Sequence, residues 1–487
     1  MAEISRLALA DQAAGERLAE RLAALVRPGD VIGLTGQLGA GKTTLARAFI
    51  RACARAAGVE LGEVPSPTFS LVQVYELPEM SVWHVDLYRL EGPDEVFELG
   101  LEDAADDVTL IEWPERLGSA AAAGMLVLRL EPGASENGRS ASLEGGGDWV
   151  RRLAGLERGQ AAEEFLDNVG WGKAQRSPLA GDASFRRYER LRLGDKRAVL
   201  MDAPPPQEDV RPFITIARHL GDLGFSAPAV EAVDTDQGFV LLEDLGDDLF
   251  THLLVKGTGE EELYAAAVDL LVELQRQPLP ELPPHDDAVL WQGARLLLEW
   301  YLPAVDAAPT PAAASEYEAL WRECFALGYI GNPVLVLRDY HADNLLWLPE
   351  RRGLARVGLL DFQDALAGSP AYDLVSLLED ARRDVPEALA EAMIRRYLAA
   401  TGFEPEAFRT AYAVLGAQRN SRIIGIFTRL CARDGKAAYL DLIPHVWGLL
   451  QRDLEHPALS ALKAWFASHV PAAKRCRPPL DKSVATL

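Results

Sequence analysis

The chain has 487 residues, 49% of them apolar and 25% charged, a balance that excludes disordered, collagen-like and fibrous classes. At roughly 150 residues per domain, this length predicts two to four folding units. Lysine and arginine total 49 against 73 aspartates and glutamates, a net charge of −24. Nucleic-acid binding draws affinity from phosphate neutralisation, so a chain this acidic is a poor sole grip for a nucleic acid, although a local basic face is compatible with it. Cys53, Cys324, Cys431 and Cys476 are far apart and form no CxxC pair. That argues against a zinc site or a disulfide framework and for a reduced, cytoplasmic setting. Met1 to Leu9 carries Glu3 and Arg6 and has no apolar h-region, so a signal peptide is not expected. No run approaches the ~18 apolar residues of a membrane span, and no membrane partner is expected.

Asp11 is a good N-cap for a helix over Gln12–Val26, where Ala14, Leu18, Leu22 and Leu25 recur at helical spacing. Pro28-Gly29 ends it. A short buried strand is predicted over Asp30–Thr35, then a Gly-rich turn and a helix from Lys42 to about Ala57. Further strands are predicted at Phe69–Tyr75, Val82–Asp86 and Val108–Glu112. Strands alternating with helices predict an α/β layer fold. Gly133 to Asp148 has the composition of a linker. Alternation in Met125–Glu131 and Arg139–Glu144 instead favours a hairpin with a long tip. Trp149–Leu156 reads as a closing helix, which places a domain boundary at 158/159.

Gly36-Gln37-Leu38-Gly39-Ala40-Gly41-Lys42-Thr43 satisfies GxxxxGK[ST] between a predicted strand and a predicted helix. Glycines let backbone N–H groups turn onto phosphate oxygens, and the helix N-terminus adds its positive end. Lys42 can reach terminal phosphates, and the Thr43 hydroxyl can ligate Mg²⁺. Asp86 and Glu112 each end an apolar strand. Either could hold Mg²⁺ or orient an attacking water. A Gly-rich turn with two solvated strand ends is the bland alternative, and the strand-loop-helix context weighs against it.

The loop, Ser66-Pro67-Thr68-Phe69, His84-Val85-Asp86-Leu87-Tyr88-Arg89 and Ile111-Glu112-Trp113-Pro114 together resemble the TsaE-type ATPase family. That family belongs to bacterial threonylcarbamoyladenosine formation in tRNA. The resemblance covers about residues 5–157 and implies a P-loop α/β fold, ATP with Mg²⁺, and protein partners that carry the transferase chemistry and hold the tRNA. It also implies a nucleotide site over Gly36–Thr44, including Thr44, with Thr68 in a nucleotide-sensing loop and Trp113 beside the nucleotide. Thr43 and Glu112 become the Mg²⁺ residues, and Asp86 and Glu112 the catalytic acids.

Beyond the boundary a second pattern begins. Strands are predicted at Phe185–Leu193, Lys196–Asp202 and Gly238–Glu243, with a helix over Val210–Leu223. After Leu249 the chain is mostly helical, broken by strand-like runs at Pro333–Arg338 and Arg356–Asp361. A sheet-rich lobe over about 160–248 followed by a helical lobe over about 249–470 is the outline of a kinase-like α+β fold. Phosphoryl transfer to a hydroxyl needs a base and metal ligands that bridge the phosphates. Asp339 and Asn344 share one loop with the spacing of a kinase catalytic loop, and Asp361 follows a separate strand. His341 lies between them and reads as a satisfied structural histidine.

This region resembles aminoglycoside-phosphotransferase-like kinases. Gly181-Asp182-Ala183-Ser184-Phe185-Arg186-Arg187-Tyr188, Met201-Asp202-Ala203-Pro204-Pro205 and Leu242-Glu243-Asp244-Leu245-Gly246 narrow the likeness to the branch acting on the anomeric hydroxyl of N-acetylmuramate and N-acetylglucosamine in cell-wall recycling. The resemblance covers about residues 160–470. It implies that Gly181, Asp182, Ala183 and Ser184 cover ATP phosphates and that Glu243, Asp244 and Leu245 meet the adenine. Asp339 is then the base, and Asn344 and Asp361 hold Mg²⁺. One departure stands out. The strand position of the kinase lysine reads Leu200-Met201-Asp202, and the helix Arg211–Leu220 has no glutamate. Lys196 and Arg187 are nearby basic candidates. The alternatives are a P-loop small-metabolite kinase or an ATP-sensing module in the first half, and an aminoglycoside- or choline-type kinase or an inactive one in the second.

Overall fold

A computed structural model of the chain describes residues 2–479 apart from 79, 91, 92, 97, 98, 121–123, 134, 136, 180–184 and 258. It divides into two compact units, Met1–Gly172 and Lys173–Leu487.

The first unit is a seven-stranded sheet with helices on both faces. Its strands are β1 (Ala2–Leu9), β2 (Val31–Gly36), β3 (Val72–Glu76), β4 (Ser81–Asp86), β5 (Val108–Glu112), β6 (Leu126–Pro132) and β7 (Arg139–Gly145). Their order is β1-β7-β6-β2-β5-β4-β3. The central strands β6, β2, β5 and β4 are parallel and the edges antiparallel. Central parallel strands are covered on both faces, so they read as continuous apolar runs, and every residue of β5 is buried. Val108 and Leu110 pack with Phe49, Ile50 and Leu18 on one face, whereas Ile111 packs with Val85, Leu117 and Val127 on the other. The Asp11 carboxylate caps the first helix, Gln12–Ala23, by accepting from Ala14 N at 2.9 Å.

The Gly-rich segment after β6 closes an antiparallel hairpin with β7, as the alternation predicts. The division into units falls beyond 158/159. The helix Leu156–Asn168 belongs to the first unit, because Glu163 pairs with Arg17 at 3.1 Å and with Arg21, and Gln160 donates to Ala8 O at 2.6 Å. β1 is a strand the sequence reading does not predict. Leu7 and Leu9 alternate inward along it, but its register slips between Glu3 and Ser5.

The second unit opens with a five-stranded antiparallel sheet of β8 (Gln175–Leu179), β9 (Arg187–Leu193), β10 (Lys196–Asp202), β11 (Val230–Asp234) and β12 (Phe239–Leu242), in the order β11-β12-β10-β9-β8. Helix Arg211–Asp222 packs against it through Phe213, Ile216, Ala217 and Leu220 at helical spacing. A helical lobe follows, built around the long helix Pro405–Asp434. Two short antiparallel pairs sit within it: β13 (Val334–Val336) with β16 (Leu366–Gly368), and β14 (Leu345–Trp347) with β15 (Val357–Leu359). One apolar core runs from Met201 in the sheet to Val470 in the last helices. Among the described residues no helix is long and apolar enough to cross a membrane.

All four cysteines are free. Burial pushes the Cys53 thiol up to about 12 and Cys324 up to about 11, and raises Cys431, whereas Cys476 is exposed. The thiolate is the reactive form, so native protein treated with iodoacetamide at neutral pH is expected to take up one equivalent, mapped to Cys476 by peptide mass. Rapid native alkylation of Cys53 would contradict this packing.

Candidate active sites

The first site lies where parallel strands end. Gly36 closes β2 at φ +141°, and a Cβ there would stand 2.4 Å from Leu130 O, so only glycine fits. Gly39 and Gly41 also have positive φ, at +81° and +103°, with open space around them. The loop then feeds the N-terminus of helix Lys42–Ala56, where orphan N–H groups and the helix dipole favour an anion. Lys42 is 5% exposed; its ammonium donates to Gly36 O at 2.7 Å and Gln37 O at 3.0 Å and stands 3.7 Å from the centre of the Trp113 ring. Burial lowers the Lys42 pKa against the charges of Glu112, Glu115 and Asp86. Within the loop, Ala40 N donates to Gln37 O at 3.1 Å, while Leu38 and Thr44 face solvent.

Parallel pairing brings the two acids side by side: Asp86 is the register partner of Glu112, and Glu112 that of Leu34. Thr43 Oγ1 donates to Glu112 Oε2 at 2.9 Å, and the other carboxylate oxygen is 3.0 Å from His84 Nε2. Asp86 accepts from Thr68 Oγ1 at 2.8 Å and from Tyr88 N at 3.0 Å. Asp86, Glu112 and His84 are nearly fully buried. His84 is a member of this cluster to which sequence reasoning gave no role. Its one signal is a histidine in an otherwise apolar strand. Mg²⁺ keeps most of its ligands as water and phosphate oxygen and takes only one or two from protein, so the Thr43–Glu112 oxygen pair fits that ion. The loop, the ammonium and the helix end fit a nucleotide polyphosphate.

The second site is assembled by the two short antiparallel strand pairs. Asp339 follows β13 in a loop whose preceding residue, Arg338, has φ +70°. Asn344 Nδ2 donates to Asp339 O at 2.9 Å, which leaves the amide oxygen of Asn344 for a cation. His341 is 5% exposed, its Nε2 lies 3.4 Å from Asn344 Nδ2 and 3.3 Å from Arg382 Nη1, and burial lowers its pKa. Nε2 is placed to accept from both, but the buried Nδ1 has no hydrogen-bond partner among the described residues, so the ring is not the fully satisfied structural histidine expected of it. Burial alone would raise Asp339, but Arg422, His341, Arg419 and Arg338 outweigh it and hold the carboxyl below its ordinary range. Asp361 sits after β15 at φ +56°. Desolvation raises its pKa, with the charges of Asp339 and Asp364 adding to this and a Gln363 hydrogen bond opposing it. A carboxyl crowded by like charge fits a divalent cation, which would relieve the repulsion.

Glu243 and Asp244 do not point free side chains into a cleft. Glu243 pairs with Arg351 and accepts from Ala229 N at 3.3 Å, and Asp244 lies 2.9 Å from Arg190. Leu245 is half-buried. Gly181, Asp182, Ala183 and Ser184 lie outside the described residues. Of the two basic candidates, Lys196 stands exposed at the β9–β10 turn and Arg187 is exposed at the start of β9. Asp373 is a buried residue that sequence reasoning missed, and no local signal marks it. It accepts from Leu337 N at 2.6 Å and Arg338 N at 2.9 Å, fixing the backbone just before Asp339.

The first unit is thus a phosphate-loop α/β domain, and the second a bilobal phosphotransferase-like domain. Residues 9–140 match the family model "Threonylcarbamoyl adenosine biosynthesis protein TsaE", and residues 175–410 match "Phosphotransferase enzyme family". The N-acetylmuramate/N-acetylglucosamine kinase of Caulobacter vibrioides is 42% identical over 360 residues, covering 66% of this chain and 98% of that protein. The kinase of the same name from Pseudomonas aeruginosa is 38% identical over 63% of this chain and 92% of its own length. The tRNA threonylcarbamoyladenosine biosynthesis protein TsaE of Rickettsia bellii is 42% identical over 101 residues, 20% of this chain and 67% of that protein. The chain therefore belongs to the TsaE family through its first unit and to the N-acetylmuramate/N-acetylglucosamine kinase family through its second, as a fusion of the two.

Asp373→Ala would orphan two buried N–H groups, at about 1–3 kcal/mol each. Burial pushes the Asp373 carboxyl up to about 7 from 3.8, against the pull of its two N–H donors. The folded state therefore binds the extra proton across that window, and the stability this residue contributes is lost as pH rises from about 4 to about 7. The melting temperature of the parent should exceed that of Asp373→Ala by more at pH 5 than at pH 8. An equal gap at both values would contradict the buried acid.

Proposed function

We propose that this protein joins two ATP-dependent activities: the ATPase of a system forming threonylcarbamoyladenosine in tRNA, and a kinase for the anomeric hydroxyl of N-acetylmuramate or N-acetylglucosamine. The relatives named above support both halves. The observation that carries the kinase half is Asp339, an acid held ionised by surrounding arginines, on one loop with Asn344 and near Asp361. In both sites Mg·ATP supplies the transferable phosphoryl group and the cation that offsets its charge.

In the first site Lys42 and the backbone of Gly36–Thr44 bind the polyphosphate. Thr43 and Glu112 hold Mg²⁺. His84 fixes one oxygen of Glu112, leaving the other beside Thr43. Asp86, held by Thr68 and Tyr88 N, orients the attacking water, and its link to Thr68 lets a nucleotide-dependent shift of that loop move the acid. Trp113 covers the Lys42 stem and ammonium. Leu38 and Phe69, large apolar side chains beside these residues, are 76% and 83% exposed, which suits protein partners that hold the tRNA and complete the reaction. In the second site Asp339 accepts the proton of the sugar hydroxyl as the oxygen attacks phosphorus, and Asn344 and Asp361 hold Mg²⁺. Glu243–Leu245 meets adenine through its backbone, since the two carboxylates are taken by Arg351 and Arg190.

Glu112→Gln keeps size and removes charge. It should depress Mg²⁺-dependent ATP hydrolysis by the first site more than nucleotide affinity, read by titration beside turnover. Equal loss of both would make Glu112 a structural residue. Asp339→Asn should lower sugar phosphorylation by about 10²–10⁴, the usual worth of a general base, with little change in the KM for ATP. The parent product should show an anomeric phosphate by ³¹P NMR. A parental rate in Asp339→Asn would remove the base from this reading.

A further inference from the structure

The stretch where kinases place a phosphate-binding lysine reads Leu200-Met201-Asp202 and offers no cation, and Leu200 and Met201 in β10 are 1% and 0% exposed. The cation facing the cleft comes from the neighbouring strand instead. Arg186, one residue before β9, points Nη1 to within 4.0 Å of Asp361 Oδ1, while its Nε lies 3.0 Å from Glu208 Oε2. The Arg186 and Glu208 side chains are only 11% and 13% exposed. Glu208 lies between β10 and helix Arg211–Asp222, just ahead of the helix that lacks a glutamate, and its other oxygen accepts from Phe185 N at 3.3 Å. Glu208 therefore grips both the side chain of Arg186 and the backbone beside it.

We propose that Arg186, braced by Glu208, binds the nucleotide polyphosphate in the second site, taking over the task of the missing lysine–glutamate pair. The inference rests on the phosphotransferase reading of this unit. A guanidinium presents five donors in a fixed fork, so one edge can serve a carboxylate while another serves a phosphate bidentately. The 4.0 Å separation from Asp361 is too long for a hydrogen bond. It places the cation next to the metal-holding carboxylate, and a phosphate oxygen shared by metal and guanidinium would meet both. Arg187 and Lys196, the two basic candidates of this hairpin, are exposed, and Arg190 is paired with Asp244 and Asp247. Arg422 is committed to the Asp339 side of the site.

The test uses the full chain carrying Lys42→Ala, so that nucleotide titration reports the second site. Kd is measured for Mg·ATP and for adenosine, beside the KM for ATP in sugar phosphorylation. A charge-assisted hydrogen bond is worth about 1.5–3 kcal/mol, so Arg186→Ala should weaken Mg·ATP binding and raise KM by about tenfold to a hundredfold. Adenosine affinity should stay at the parental value. Arg186→Lys should fall between, Glu208→Gln should weaken Mg·ATP binding several-fold, and Arg187→Ala should match the parent. Parental Mg·ATP affinity in Arg186→Ala would overturn the assignment. So would an equal loss for ATP and adenosine, the mark of a structural role. Should Arg186→Ala fail to fold, Arg186→Lys carries the same comparison, and parental values there would overturn it too. A parent protein that binds Mg·ATP but phosphorylates neither amino sugar would overturn the substrate reading alone, because the Kd ratio is read without sugar.

Discussion

Acids gathered around one phosphate repel each other unless donors or cations hold each in place, and both sites of this chain are shaped by that requirement. In the first unit, parallel pairing of β4 with β5 puts Asp86 and Glu112 in register at the strand ends. Neither is left to its neighbour. Asp86 takes donors from Thr68 and Tyr88, and Glu112 takes them from His84 and Thr43. Lys42 is kept off both acids by its bonds to Gly36 O and Gln37 O. An ammonium that neutralised Glu112 directly would have less to offer a phosphate.

The second unit meets the same requirement with arginine. Asp339 would be protonated more easily by burial, yet Arg422, Arg419 and Arg338 keep it charged. Arg419 is itself anchored on Glu379 O at 3.0 Å, and Glu379 shares Asn420 with Asp453. The long helix Pro405–Asp434 thus buries a polar band that sets the field at the Asp339 loop. Asp373 fixes the loop backbone from the other side. Removing any one partner of such a network leaves a buried polar group without its hydrogen bond, which costs more than the bond itself contributes.

The phosphate loop, Glu112, Asp339, Asn344 and Asp361 were legible because each follows a local rule: a spacing, or a strand that ends in an acid. Strands β4, β5, β9 and β10 were legible by their apolar or alternating runs. What escaped depends on partners far along the chain. β1 is an edge strand with a bulge, so its alternation is short. β8 and β11 are exposed edges of the small sheet whose residues carry little apolar pattern. His84, Asp373 and Arg422 act through residues 28, 36 and more positions away. The absent lysine was visible as an absence; the Arg186–Glu208 pair was not, because a carboxylate 22 positions on reveals itself only when β10 and the next helix fold back.

The central claim is that one chain carries two chemically independent phosphate sites. The most direct measurement is a crossed comparison of Lys42→Ala and Asp339→Asn in the full-length protein, reading ATP hydrolysis stimulated by the tRNA-modification partner subunits and amino-sugar phosphorylation side by side. The predicted result is a double dissociation, with Lys42→Ala losing the first activity alone and Asp339→Asn losing the second alone. Loss of both activities in either folded variant would contradict two independent sites.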